Sequence, residues 1–292
     1  MAFPTGSWSE PPFIIVYGDS GTGKTTDAIL SFPDAQFLAL PGAMKSARSV
    51  GHILIDIKPC QDLDQAVEHA RAAKKSRKTK IVVDDLSLLA ENQKSKLSDK
   101  YKGWDLWGAV QDSIVKFKTV CLDLGMLVLC NAHRTPPETD KDSNYLHGGP
   151  SMPTRALVRS IPHVAHTVLR VGLEDGRKPW PGVYHGLAGN PMWFQKDRHH
   201  VFGEISPMNL REGLLLAGFE LARHPELGWQ DGIADKVCAR LHAGESFPEV
   251  FALFMKGLTD KGRHPKHVRW ALRDGRDRFE FQKQQHAALY EL

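Results

Sequence analysis

The 292-residue sequence predicts an α/β fold: a mostly parallel central sheet flanked by helices, with an antiparallel extension and a helical C-terminal part. Three observations carry that expectation. Short, β-branched apolar runs recur, each too brief for a buried helix. Segments with apolar residues three and four apart lie between them, the alternation expected of right-handed βαβ units. A glycine-rich octapeptide joins the first strand to the first helix.

Taken in order, Pro11 and Pro12 precede Phe13-Ile14-Ile15-Val16-Tyr17, the first strand. A helix from Lys24 to about Leu30 must stop before Pro33. Ala35 to Leu40 forms a second strand closed by Pro41-Gly42, and Ile53 to Ile57 a third. Asp62 to Lys75 puts Leu63, Ala66, Val67 and Ala70 on one helical stripe. Lys80-Ile81-Val82-Val83-Asp84-Asp85 is a strand ending in two carboxylates. A longer helix spans Trp104 to Asp123, and Met126 to Ala132 is the next strand. Arg134 to Pro153, rich in Thr, Pro, Asp, Ser, Asn and Gly, reads as a long loop. Connections beyond about 12–15 residues are usually functional or disordered. Val164 to Val171 and Gly182 to His185 read as strands of an antiparallel extension, and helices dominate from about Leu210. This divides the chain into a core at 1–209 and a helical region at 210–292.

A hydrophobic content of 41% with 25% charged residues belongs to a soluble globular chain. No apolar run approaches the roughly 20 residues of a membrane span, and the N-terminus lacks a signal peptide's pattern, so no membrane partner and a cytoplasmic location are expected. Four widely spaced cysteines, Cys60, Cys121, Cys130 and Cys238, read as buried thiols. The net charge of +4 permits a polyanionic partner without requiring one. Two basic runs, Lys74 to Lys80 and Lys256 to Arg278, are either such a surface or ordinary solvated faces.

The octapeptide Gly18-Asp19-Ser20-Gly21-Thr22-Gly23-Lys24-Thr25 matches the phosphate-binding pattern G-x-x-x-x-G-K-[ST] in its required context. Glycines let successive N–H groups turn inward around phosphate oxygens, and the helix N-terminus adds its positive end. Lys24 then supplies charge to the β- and γ-phosphates of ATP, Thr25 a hydroxyl to Mg²⁺, and Thr26 reaches the α-phosphate. Asp84, the first acid after the adjacent strand, would hold the Mg²⁺ shell. Asp85 could polarise the attacking water, or simply cap the next helix. At the tip of the neighbouring strand His133, or Asn131, could sense the γ-phosphate, though a structural histidine is equally ordinary. Lys196 and Arg198 sit two apart on a strand and so share a side. Such a pair could reach a triphosphate across a subunit boundary, or could belong to a solvated hairpin.

Together these pieces resemble the RecA-like P-loop ATPases, and most closely the compact phage-encoded members linked to single-strand annealing and recombination. The resemblance covers about Pro12 to Phe202. It implies an ATPase acting on DNA, expected to be single-stranded though the preferred form is left open, as a homo-oligomeric ring or filament located in the host cytoplasm if phage-encoded. It also implies a composite site, with Lys196 and Arg198 reaching the next subunit's ATP, His133 as strand-tip sensor and a mobile DNA-binding loop after it. One feature departs from the family: no glutamate follows the second strand, which ends Ala39-Leu40-Pro41-Gly42. Asp85 must then take that role, as in AAA+ proteins, or hydrolysis is slow. Two alternatives stay open: an AAA+-like or packaging-type motor or loader, and a nucleotide-gated assembly protein with little turnover. Aromatic residues Tyr101, Trp104 and Trp107 among Lys94, Lys96, Lys100 and Lys102 suit stacked bases and phosphates, or are the two faces of one helix.

Overall fold

The computed structural model describes residues 11–41, 55–139, 141, 145–172, 183–186, 192–198, 201–221 and 227–290. In chain order the elements are β1 (Phe13–Tyr17), α1 (Lys24–Ser31), β2 (Gln36–Ala39), β3 (Asp56–Pro59), α2 (Leu63–Lys75), β4 (Lys80–Asp84), α3 (Leu86–Leu97), α4 (Gly103–Asp123) and β5 (Leu127–Ala132). Next come β6 (Arg134–Thr135), β7 (Glu138–Thr139), β8 (Tyr145–Leu146), β9 (Gly149–Pro150), α5 (Arg155–Val164) and β10 (Thr167–Gly172). The remainder is β11 (Val183–His185), β12 (Lys196–Asp197), β13 (Ser206–Pro207), α6 (Leu210–Leu216), α7 (Trp229–His242), α8 (Phe247–Thr259) and α9 (Pro265–Tyr290).

The main sheet runs β13-β11-β10-β1-β5-β4-β2-β3, with β12 also on β10. From β3 to β10 every pairing is parallel, and β11, β12 and β13 add antiparallel strands at the other edge. Period-two alternation along β1 then builds two cores. Phe13, Ile15 and Tyr17 point to the layer that includes α2, α3, α4 and α5. Ile14 and Val16 point to the layer of α1 and α6, joined by Trp270 and Phe281 of α9. A third cluster, around Val237, Val250 and Leu272, holds α7, α8 and α9 together. All four cysteines are buried free thiols, and burial raises each above the usual thiol range.

Several sequence expectations change here. The segment from Val164 to Val171 is the end of helix α5 followed by β10, and β10 lies parallel to β1, inside the core sheet. A parallel pairing needs a crossover, and α5 is the element that leads into it. Thr154 caps that helix by accepting from Leu157 N at 3.3 Å, and Leu157, Val158 and Ile161 form its buried side. The stretch after His133 carries two small ladders, β6 with β9 and β7 with β8. The helix at Trp104 is preceded by a separate one, α3, and the break between them spans Ser98 to Lys102. The expected third strand begins later, at Asp56; Ile53 and Leu54 lie outside the described residues. The basic runs are not simply solvated: Lys80 pairs with Asp34 at 2.5 Å, and Arg273 is only 8% exposed.

Candidate nucleotide site

The site lies beyond the C-terminal ends of β1, β4, β5 and β10. Parallel pairing puts the tips Tyr17 and Ala132 in line with Arg170, near the end of β10, as β1 pairs Tyr17 with both of the others. The turn after β1 demands glycine at three places. Gly21 and Gly23 take φ of +78° and +95°, the left-handed region that side chains disfavour. A Cβ at Gly18 would come within 3.0 Å of the Val171 Cβ, so β10 presses directly on the start of the loop.

Inside the loop, Lys24 donates from Nζ to the carbonyls of Gly18 at 2.9 Å and Asp19 at 2.8 Å. Burial lowers its pKa, opposed by the charges of Asp85, Asp84 and Asp19. The Thr22 hydroxyl donates to the Asp19 carbonyl at 2.9 Å, fixing the turn. Thr25, in the first turn of α1, donates to Asp84 Oδ2 at 2.9 Å. Asn131 Nδ2 donates to the other oxygen, Oδ1, at 3.1 Å. Both oxygens of Asp84 are therefore aimed from opposite sides.

Asp85, joined to Asp84 by a cis peptide, does two things at once. Its Oδ1 accepts from Ser87 N at 2.6 Å and caps α3, while Oδ2 meets His133 Nε2 at 2.9 Å. Desolvation raises its pKa, with His133 and the Ser87 N–H acting the other way. His133 is held in turn by its own N–H, which donates to Ser87 Oγ at 3.0 Å. The tip of β2 offers no acid: Ala39 sits beside Asp84 in register, and the chain continues through Leu40 and Pro41.

Thus Lys24, Thr25, Asp84, Asp85, Asn131 and His133 come together, with Thr26 the third residue of α1. Lys196 and Arg198 do not join them. In this chain β12 pairs at Thr167 and Val168, the start of β10, away from the loop. Lys196 donates from Nζ to the carbonyls of Ala165 at 2.6 Å and His163 at 3.4 Å, closing the end of α5. Desolvation, then Arg198 and Lys118, lower its pKa to about 8. Arg198 is exposed in the following turn.

Three residues at or behind the site, Arg134, Arg170 and Asp27, were not singled out by sequence, whereas Arg273 was arguable there as the sensor arginine of a C-terminal lid. Arg134 reaches Asp19 Oδ1 from Nε at 2.5 Å. Arg134 and Arg170 lie over the Trp193 ring, at 5.9 and 5.1 Å from its centre. Asp27, fully buried on α1, accepts from the Tyr184 hydroxyl at 2.7 Å and from Leu210 N at 3.0 Å. Arg273 of α9 lies 3.7 Å from Asp27 and also contacts Asp274 at 3.2 Å and Asp277 at 3.7 Å. Asn209 donates to the same two aspartates. Only the adjacency of Arg134 to His133 was a usable signal; Arg170 and Asp27 depend on pairings remote in sequence.

A phosphate-binding loop between β1 and α1, backed by a paired Thr25 and Asp84 on a parallel sheet, defines a P-loop ATPase of the α/β class. The chain belongs to the AAA domain family, which matches residues 10–199. No curated protein matches it. Among solved structures, a KaiC-like protein from the hyperthermophilic archaeon Pyrococcus horikoshii OT3 is similar at 14% identity, with a TM-score of 0.36. That alignment covers 60% of this chain and 77% of the archaeal one, an extent that says nothing about function. No helix among the described residues is long and apolar enough to cross a membrane.

Proposed function

We propose that the protein binds and hydrolyses ATP with Mg²⁺, and acts on DNA as a homo-oligomer with composite sites. The observation that carries the ATPase reading is Asp84, aimed by Thr25 on one side and Asn131 on the other. A hydroxyl and a carboxylate are hard oxygen donors and fit Mg²⁺. Thr25 and Asp84 would hold it, and the ion would neutralise charge on the β- and γ-phosphates. The N–H groups of Asp19, Ser20, Gly21, Thr22, Gly23 and Thr26 supply the cradle and Lys24 its point charge, while Gly18 N donates to the Ala132 carbonyl at 3.2 Å and anchors the start of the loop. With no acid on β2, Asp85 orients the attacking water. Its link to His133 ties that carboxylate to the strand tip from which β6 departs.

Two surfaces support a nucleic-acid partner. A groove of about 330 Å³ lies beside the segment after His133, lined by Tyr145, His147 and Phe194 together with Arg155, Arg159 and His163. Rings and cations share that lining, a combination that suits single strands. At the start of α4, Trp104 is 83% exposed, while Lys94 and Lys100 lie over Trp107 and Tyr101. For the composite site Arg198 is the better candidate, since Lys196 already closes α5. The division at 209/210 stays with this reading as a working boundary, as does a phage annealing role in the host cytoplasm.

The test is turnover with and without single-stranded DNA, alongside particle mass with and without ATP. Stimulation by DNA and a larger particle with ATP are expected. Arg198→Ala should abolish turnover with binding intact. A rate indifferent to any nucleic acid sinks the DNA half of the reading. The AAA family match favours a second reading, a loader or remodelling ATPase stimulated by a protein partner.

A further inference from the structure

Arg134 has no role in the proposed hydrolysis, although it directly contacts a P-loop side chain. Its Nε lies 2.5 Å from Asp19 Oδ1, and both side chains are partly open to solvent. Asp19 is an awkward residue for a triphosphate site. Its carbonyl serves the loop by accepting from Lys24 and Thr22, but its carboxylate adds negative charge to a loop that must receive more of it. Asp84 and Asp85 add two more carboxylates nearby, and their charges act on Lys24. The arriving terminal phosphate therefore meets a site whose acids need a counter-charge beyond Lys24.

Resting on the ATPase reading, we infer that Arg134 is a terminal-phosphate ligand supplied by the same chain, parked on Asp19 until a γ-phosphate draws it away. Guanidinium matches phosphate oxygens with a planar, two-pronged donor set. The exchange is electrostatically sound: a phosphate carrying more charge than one carboxylate competes for the same cation, and the freed Asp19 remains open to water. A diphosphate offers no such competitor and leaves the pair in place.

The backbone around Arg134 gives the exchange a route outward. Arg134 pairs with Pro150, and Thr135 with Gly149, across the β6–β9 ladder. A Cβ at Gly149 would lie 3.1 Å from Val158 of α5 and 3.3 Å from Phe194. Ser151 N also donates to the His133 carbonyl at 2.7 Å. A shift of Arg134 thus pushes on α5 and Phe194, which border the aromatic groove. The Trp193 ring beneath the guanidinium reports it optically.

The experiment compares AMPPNP and ADP binding, by calorimetry with Mg²⁺, for the parent chain, Arg134→Ala, Arg134→Lys and Asp19→Asn. A charge-assisted contact made only to the γ-phosphate is worth about 1.5–3 kcal/mol, or about ten- to a hundredfold. Arg134→Ala should weaken AMPPNP by that factor while ADP changes less than about twofold. Arg134→Lys should fall between. Asp19→Asn, which frees the guanidinium, should tighten AMPPNP more than ADP. Equal losses for both nucleotides in Arg134→Ala, or no loss, overturn the inference while leaving the ATPase reading intact. If Arg134→Ala fails to fold, Asp19→Asn decides: AMPPNP tightened no more than ADP overturns it. A parent chain that binds neither nucleotide overturns both.

Discussion

Replacing Arg273 with Met takes a buried cation out of a group of three buried carboxylates. Arg273 stands 3.7 Å from Asp27, 3.2 Å from Asp274 and 3.7 Å from Asp277, and each of these aspartates is at most 1% exposed. The Tyr184 hydroxyl, Leu210 N and Asn209 Nδ2 still donate to them in the variant, and Arg276 still pairs with Asp277 at 2.7 Å, so the counter-charge is lost at Asp27 and Asp274 while hydrogen bonds survive. Removing one partner of a buried ion pair costs about 3–5 kcal/mol. At roughly 2–4 °C per kcal/mol for a chain somewhat smaller than this one, the melting temperature should fall by about 10 °C.

The deficit should also depend on pH. Burial raises the pKa of Asp27 to about 6, held down chiefly by Arg273. A carboxyl whose folded pKa lies above its unfolded value loses stability as pH rises between the two. In the parent that loss is complete near pH 6. Without Arg273 the folded pKa moves higher, so the variant goes on losing stability towards pH 8. Thermal unfolding followed by circular dichroism at pH 5 and pH 8 reads both effects. A variant melting within about 2 °C of the parent at pH 8, or a deficit equal at both pH values, refutes the argument.

Four further outcomes are expected. Asn131→Ala, which frees Asp84 Oδ1, should raise the Mg²⁺ needed for half-maximal turnover by about 10–100-fold, measured by metal titration at saturating ATP. Asp85→Asn should lower turnover by about 10²–10⁴-fold if that carboxylate acts as general base; His133→Asn in the same background should add little, because the two form one unit. Gly148→Ala would put a Cβ 2.6 Å from Trp193 and 2.8 Å from Pro137. It should displace the indole and shift tryptophan emission, and an unchanged spectrum counts against the packing described. Burial, aided by Arg170, lowers His185 to about 4. Its neutral form therefore contributes stability above about pH 6.5 that is lost as pH falls towards 4. His185→Gln should flatten the acid limb of a stability–pH profile, and an unaltered limb removes His185 from the account.

What was legible in the sequence was local. The run Phe13 to Tyr17, the loop and the start of α1 announce themselves within 20 residues, because the strand and glycine signals are contiguous. Asp84 and Asp85 were readable as the end of an apolar run. The role of Asp85 as cap and His133 partner was half visible, since only the cap is local. Helix α5 was missed for a physical reason: Pro153 and Pro162 look like breakers, yet Pro153 precedes the Thr154 cap and Pro162 sits in the last turn of the helix. Losing α5 made the next strand look antiparallel. Arg134 and Asp19 are more than a hundred residues apart, as are Asp27 and Arg273 at greater distance still. Such pairs exist only once the sheet order is known, and no periodicity encodes them.

The place of β1 between β5 and β10 has a consequence in time. Phe13 N donates to His166 Nδ1 across a separation of 153 residues, and neither neighbour of β1 is adjacent in the chain. At about 5–20 residues per second of synthesis, the first strand waits roughly 10–30 s for its second neighbour. Through that interval a fully apolar strand carries unpaired N–H and C=O groups on at least one edge, the geometry that invites association with other chains. Expression at lower temperature, or with a holdase present, should therefore raise the soluble yield more than any stabilising change made to the finished fold.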